Sequence, residues 1–116
     1  MVTRYAYDGL PVTAEGSWGL MPSFGFEMSF NIMLEKATLV YDCTRTPAFR
    51  VCPADGAAFT PPVESGDGYS RQTDYFVQSI TARPAEPVLT LAESMESVRI
   101  VAAEIKSART GKTVRL

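Results

Sequence analysis

The clearest pattern in this chain is an alternation of apolar and polar residues in its first two thirds. Over residues 27–34, apolar Met28, Phe30, Ile32 and Leu34 alternate with Glu27, Ser29, Asn31 and Met33. A period of two predicts a strand whose two faces are buried to different depths. Similar segments bounded by turn residues predict further strands over 2–7, 10–18, 37–42, 49–53 and 57–63. Strands that follow one another with short connections favour an antiparallel sheet.

The last third has helical spacing instead. One stripe recurs at three and four residues and predicts a helix over 69–83 that stops before Pro84; it consists of Tyr69, Thr73, Phe76, Val77 and Ile80. A capping box of Thr90 and Glu93 predicts the start of a second helix, and Gly111 predicts its end. The apolar stripe of that helix is Leu91, Met95, Val98, Ala102 and Ile105, and Val101 and Ala108 widen it. The residues after Gly111 are long enough for a short edge strand.

Two helices with one apolar stripe each need a surface to pack on, and a one-sided sheet provides it. We therefore expect an α+β fold, a two-layer sandwich in which both helices cover one face of a largely antiparallel, open-faced sheet. If the helices cover the side of Phe30 and Ile32, the open face presents Ser29, Asn31 and Met33. On the first strands, either Tyr5 and Tyr7 or Arg4 and Ala6 point the same way. Such a face is typical of a protein interface.

Length and charge narrow the possible functions. The 116 residues fit a single domain, 1–116. A net charge of −2 with interspersed signs provides no basic stripe, so we expect no nucleic-acid partner. No apolar run approaches the roughly 20 residues that span a bilayer, and the N-terminus has no apolar signal segment. We expect no membrane partner and a cytoplasmic location.

The cysteines, Cys43 and Cys52, have three possible roles: a disulfide, a pair of metal ligands, or two free thiols. A hairpin centred on Thr44 to Pro47 would place Cys52 opposite Leu39, which separates the sulfurs by more than about 10 Å along the ladder. The chain has no His and only 2 Cys, so a zinc site lacks ligands. Free thiols are therefore expected, consistent with a reducing compartment.

Catalytic and cofactor motifs are missing from this sequence. Without His, a catalytic triad has no base. No glycine-rich dinucleotide fingerprint follows a strand, and no phosphate-binding loop motif occurs. We assign no catalytic, cofactor-binding or metal residues in this chain. Trp18, at a strand end before the irregular segment 19–26, is the one candidate for lining a substrate pocket, although core or interface packing is the commoner role of such a residue.

The order of six segments resembles a known family. The segments are Glu15-Gly-Ser-Trp18, Phe24-Gly-Phe26 to Phe30, Ala37-Thr-Leu, Asp55-Gly56, the helix with Tyr69, Phe76 and Ile80, and the ending Ser107-Ala-x-Thr-Gly-x-x-Val-x-Leu. In this order they resemble the C-terminal domain of the glucose–fructose oxidoreductase, inositol dehydrogenase and rhizopine-catabolism (Gfo/Idh/MocA) family. The resemblance covers essentially the whole chain, and its specificity lies in the order rather than in any one motif.

The resemblance implies a function for a longer parent protein. In that family an N-terminal Rossmann domain binds NAD or NADP, and the sheet of the C-terminal domain forms a homodimer and borders the substrate pocket. The Rossmann domain and the family's catalytic Glu-Lys-Pro segment are absent here; Glu86-Pro87 and Glu35-Lys36 are only echoes of that segment. The chain would be the C-terminal domain of an NAD(P)-dependent oxidoreductase that acts on a sugar, polyol or related hydroxyl compound, inactive alone. The alternative is a self-standing α+β dimerisation or ligand-binding module.

Overall fold

The computed structural model describes residues 1–63, 66–81 and 88–116. In these ranges the strands are β1 (Val2–Tyr7), β2 (Leu10–Glu15), β3 (Ser29–Met33), β4 (Ala37–Asp42) and β5 (Phe49–Pro53), and the helices are α1 (Gly68–Thr81) and α2 (Leu91–Thr110). A turn of 3-10 helix, Pro22–Phe24, interrupts the irregular segment. Antiparallel strands with two helices confirm the predicted α+β class. The predicted end of α1 at 82–83 and the proline link 84–87 lie outside the described residues.

The strands form two sheets, which corrects the expectation of one continuous sheet. β1 pairs with β2, and β3, β4 and β5 form a separate sheet in that order. All pairings are antiparallel. The chain divides into two compact units, one of Met1–Ser17 with Asp67–Leu116 and one of Trp18–Gly66. Alternation along each strand predicts its faces but not which strands become neighbours, and this is why the division was missed.

The β1–β2 hairpin belongs to the first unit. Gly9 has φ 71° at its turn, a conformation that glycine adopts without a steric penalty. Tyr7 pairs with Leu10 next to the turn. At the open end the Gly16 amide donates to the Met1 carbonyl at 3.0 Å, and β2 ends at Glu15 rather than at the predicted residue 18.

The β4–β5 hairpin belongs to the second unit, and its register differs by one residue from the predicted one. Cys52 lies opposite Thr38 instead of Leu39, because the Asp42 amide bonds to the Ala48 carbonyl (2.9 Å) and the turn takes residues 43–47. The Asp42 carboxylate fixes that turn by accepting from the Thr44 amide at 3.0 Å and hydroxyl at 2.6 Å. Both cysteines are free thiols, as predicted.

Two of the predicted strands do not form in the described residues. Segment 57–63 makes an isolated antiparallel bridge, Val51 with Phe59, rather than a ladder. Pro61 and Pro62 have no amide hydrogen to extend it. Residues 112–116 have no strand structure either, although they lie beside β1 and α2 at a cleft in the first unit.

The predicted bounds of α2 are confirmed at both ends. The Thr90 hydroxyl accepts from the Glu93 amide (3.2 Å), and the Glu93 carboxylate accepts from the Thr90 amide (2.8 Å). These reciprocal bonds are the predicted capping box. Gly111 has φ 64°, and its amide donates to the Ser107 carbonyl at 2.8 Å. Hydrogen bonds local to the sequence therefore determine where this helix starts and stops.

No residue in the described ranges is buried. The chain exposes 10600 Å². A compact folded chain of this length exposes about 6,200 Å², and two separate compact units that share the same mass expose about 7,500 Å² together. The chain therefore exposes about 3,000 Å² more than two compact units of its mass would expose, in line with the lack of any buried residue among those described.

Candidate interaction surfaces

The three-stranded sheet has one predominantly apolar face, which we call the sheet face. Residues directly opposite each other on paired strands share a face. The pairing register therefore groups Phe30 with Tyr41 and Phe49, and Ile32 with Leu39 and Val51. The rings of Phe30 and Tyr41 stack with centroids 5.2 Å apart and an interplanar angle of 20°. Phe30 remains 44% exposed and Ile32 45% exposed, so nearly half of each side chain remains accessible.

The opposite face carries the predicted interface residues of β3. Ser29, Asn31 and Met33 alternate with the sheet-face residues, and all are exposed. Met33 is 78% exposed. The structure thus places these side chains together on one face, as predicted. Their role in a dimer stays a prediction.

The other two predicted interface residues, Tyr5 and Tyr7, lie on β1 in the first unit. They belong to a different sheet from Ser29, Asn31 and Met33, so the predicted continuous open face across all the strands is wrong. The two tyrosine rings stack with each other, with centroids 6.4 Å apart and an interplanar angle of 28°. Period-two alternation correctly places both tyrosines on one side of β1.

Trp18 begins the second unit, and its side chain is completely exposed. It lines neither of the two clefts found in the first unit. Its proposed place in a substrate pocket stays a prediction.

The larger of these clefts has a volume of about 860 Å³ and lies between β1, the C-terminal half of α2 and residues 113–116. At its centre the Tyr5 hydroxyl donates a short hydrogen bond to the Glu104 carboxylate. This bond, then partial burial, then the negative charge of Glu104 raise the pKa of Tyr5 above its usual value. Tyr5 is consequently protonated at neutral pH and donates to Glu104, so the pair connects β1 to α2.

The side of α2 that borders this cleft is not the predicted apolar stripe. Its residues are Ile100, Ala103, Glu104 and Ser107. They lie about 180° around the helix from Val98 and Ala102, at 100° per residue. The stripe of Leu91, Met95, Val98, Ala102 and Ile105, which we call the α2 seam, therefore faces away from β1. Leu91 is 92% exposed, Met95 59%, Val98 68% and Ile105 45%.

The apolar stripe of α1 is exposed as well. Tyr69 is 82% exposed, Phe76 62% and Ile80 66%. On another side of this helix, the Tyr75 hydroxyl accepts a hydrogen bond from the Val88 amide at 2.9 Å, which ties α1 to the segment just before α2. The first unit thus presents two uncovered helical stripes. Both stripes are predictable from the sequence, but the sheet as their packing surface stays a prediction.

No three His, Cys, Asp or Glu side chains among the described residues come together in a way that could hold a metal ion. Neither described helix combines the length and the apolar character needed to cross a membrane.

Comparisons with known proteins complete the description of these surfaces. No family model, curated protein or solved structure matches this chain. The resemblance to the Gfo/Idh/MocA family therefore depends on the order of sequence segments alone.

Proposed function

We propose that this chain is an assembly domain, which binds another protein surface through its apolar faces and catalyses no reaction alone. The observation that carries the proposal is the absence of any buried residue among those described, although 46% of the sequence is hydrophobic. Burial of a large apolar side chain contributes about 1.5–3 kcal/mol. Uncovered stacked aromatics on a regular sheet are typical of a surface that a partner covers.

A more specific form of this proposal comes from the order of sequence segments. In it, the chain is the C-terminal domain of an NAD(P)-dependent oxidoreductase acting on a sugar, polyol or related hydroxyl compound. Its partners are then a Rossmann domain, which supplies the cofactor site, and a second copy. Its contribution is a dimer interface and part of the substrate pocket, with Trp18 as the candidate pocket residue.

The alternative form is a self-standing module for dimerisation or ligand binding. The division of the strands into two sheets favours it, because the family resemblance implies one large sheet. Both forms share the assembly role and differ in whether a nucleotide-binding domain is the partner.

Sedimentation velocity over a concentration series, together with calorimetric titration of NADH and NADPH, tests the proposal. We expect self-association and flat titrations. A chain that stays monomeric at high micromolar concentration and binds no apolar dye would overturn the assembly role. Micromolar binding of either dinucleotide would show that the chain holds a cofactor site of its own.

A further inference from the structure

The smaller of the two clefts in the first unit is strongly basic, and we call it the basic cleft. Its volume is about 530 Å³, within the range of about 300–1,000 Å³ that is typical of small-molecule sites. Its lining residues, at the end of α2 and just after it, are Lys106, Thr110, Lys112, Thr113, Val114 and Arg115. Three of them are basic and none is acidic, whereas the whole chain has 13 acidic and 11 basic residues, so the positive charge is concentrated here.

The cations of the basic cleft have no counter-ion in the described part of the chain. The side chains of Lys106, Lys112 and Arg115 take part in no ion pair there. Glu104 lines the adjoining larger cleft, but its carboxylate accepts the hydroxyl of Tyr5 instead. Three like charges that share one concavity repel each other, so an anion bound among them would be stabilised.

The helix dipole does not account for this cluster. Cations near the C-terminus of a helix interact favourably with its dipole, but the effect is confined to the last turn. In α2 the basic residue of the last turn is Arg109, which does not line the cleft. Lys112 and Arg115 follow Gly111, beyond the end of the helix. Their position beside Lys106 therefore needs another explanation.

The backbone that follows α2 is held in place and contributes hydrogen-bond donors. The Ser107 hydroxyl donates to the Lys112 carbonyl at 2.8 Å, which fixes Lys112 relative to the helix. The next three amides, those of Thr113, Val114 and Arg115, make no hydrogen bond to any group that the structure describes. Proteins bind phosphate oxygens with this combination of backbone amides and cationic side chains.

We propose that the basic cleft binds the phosphate group of a phosphate monoester. Such a group carries about −1.5 to −2 charges at pH 7 and three strong acceptor oxygens, which match three cations better than a single carboxylate does. Arg115 can donate to two of these oxygens at once, and the lysines act as point charges. A nucleic acid would require a longer basic track to follow its backbone. This inference goes beyond the assembly role and does not depend on it.

The first test is a titration of the full chain with glycerol phosphate, followed by amide chemical shifts in NMR spectra. We expect a dissociation constant on the order of 1 mM at low ionic strength, because each exposed charge pair contributes little. The largest shifts should fall on the amides of residues 112–115. Added sodium chloride should weaken binding, since salt screens exposed charges. Acetate, with one charge, should bind at least about fivefold more weakly, and glycerol should not bind. Acetate binding as tight as that of glycerol phosphate would overturn the preference for phosphate.

Charge-removing variants locate the site. Lys112→Gln and Arg115→Gln should each raise the dissociation constant about three- to fivefold, since each removes one exposed charge contact. Arg109→Gln is the matched control, because it removes the same charge from the last turn of α2 outside the cleft. It should leave the constant within about 1.5-fold of the wild-type value. Equal losses in all three variants would show that the ligand responds to net charge and would overturn the site. Circular dichroism establishes that the variants keep their helices.

A phosphate monoester occurs both in free small molecules and in the headgroup of phosphatidic acid, and a vesicle assay separates these sources. Binding of glycerol phosphate without sedimentation on vesicles of phosphatidic acid and phosphatidylcholine would identify a free ligand. Vesicle binding that is lost in Lys112→Gln and Arg115→Gln would identify the headgroup. The inference is overturned if vesicle binding survives both substitutions, or if neither probe binds at concentrations far above the expected constant. Sedimentation velocity alone judges the assembly role, so the two proposals can fail separately.

Discussion

Tyr5 and Glu104 are 99 positions apart in the sequence, and their hydrogen bond is a contact that joins the N-terminal hairpin to the last helix within the first unit. The residues next to Tyr5 and Glu104 in the sequence do not predict this hydrogen bond. Strand alternation predicts only that Tyr5 shares a face of β1 with Tyr7, and no sequence pattern singles out Glu104. A pairing of this kind depends on how the elements pack, so it becomes visible only with coordinates.

Loss of the Tyr5 hydroxyl should weaken the first unit. We expect Tyr5→Phe to lower the free energy of unfolding by about 1 kcal/mol, the usual net value of one hydrogen bond. Because folding raises the pKa of Tyr5, its contribution is present below the unfolded value near pH 10 and is lost as the pH rises through the folded pKa. The difference between wild type and Tyr5→Phe in urea unfolding should therefore shrink above pH 10.

Tyr69→Phe is the control for this measurement, since its side chain is 82% exposed. It should change the unfolding free energy little at any pH. An equal effect of both substitutions would mean that the Tyr5 bond contributes nothing specific.

Single elements were predicted well from the sequence where short-range hydrogen bonds define them. Thr90, Glu93 and Gly111 correctly predict both ends of α2, and Gly9 correctly predicts the turn of the first hairpin. The predicted register of β4 and β5 was wrong by one position, because the turn takes residues 43–47, held by the Asp42 side chain, instead of Thr44 to Pro47. The assignment of strands to sheets was wrong as well, since alternation contains no information about neighbours.

Loss of the capping box should lower the stability of α2 by a measurable amount. Thr90→Ala should lower stability by about 1 kcal/mol and fray the first turn of α2, because the Glu93 amide loses its acceptor. The expected readout is a loss of helical circular dichroism together with a lower urea midpoint. Ser97→Ala, in the middle of the same helix, should leave both unchanged or slightly raised. Equal losses in the two variants would contradict a capping role.

Low pH should weaken the same helix end. The amide and hydroxyl of Thr90 lower the pKa of Glu93 below its usual value. Because the folded pKa is the lower one, the stabilisation is present above the unfolded value near 4.5 and is lost as the pH falls through the folded pKa. Glu93→Gln should therefore remove part of the acid sensitivity of α2 helicity. Glu96→Gln, outside the box, serves as the control, and an unchanged acid profile in Glu93→Gln would contradict this assignment.

At the scale of the whole molecule, regular strands and helices are present, but the apolar side chains of the described residues are partly or fully exposed. Phe30 and Tyr41 stack on a regular sheet, and α2 is capped at both ends, yet no described residue is buried. The apolar residues that need a packing surface are predictable from the sequence. The surface itself is not, because an amphipathic stripe indicates that an element packs on something without indicating on what.

A chain that completes its core by association should become more stable as its concentration rises. We expect the midpoint of thermal unfolding to increase over a hundredfold rise in protein concentration, since association stabilises by mass action. Differential scanning fluorimetry with an intrinsic signal measures this. A wild-type midpoint independent of concentration would contradict folding coupled to assembly.

The uncovered stripe of α2 also bears on the fate of the chain inside a cell. A newly made copy that has not met its partner displays the same apolar side chains that quality-control proteases and chaperones recognise in unfolded proteins. Its lifetime would then depend on partner abundance, so that surplus copies are removed and paired copies persist.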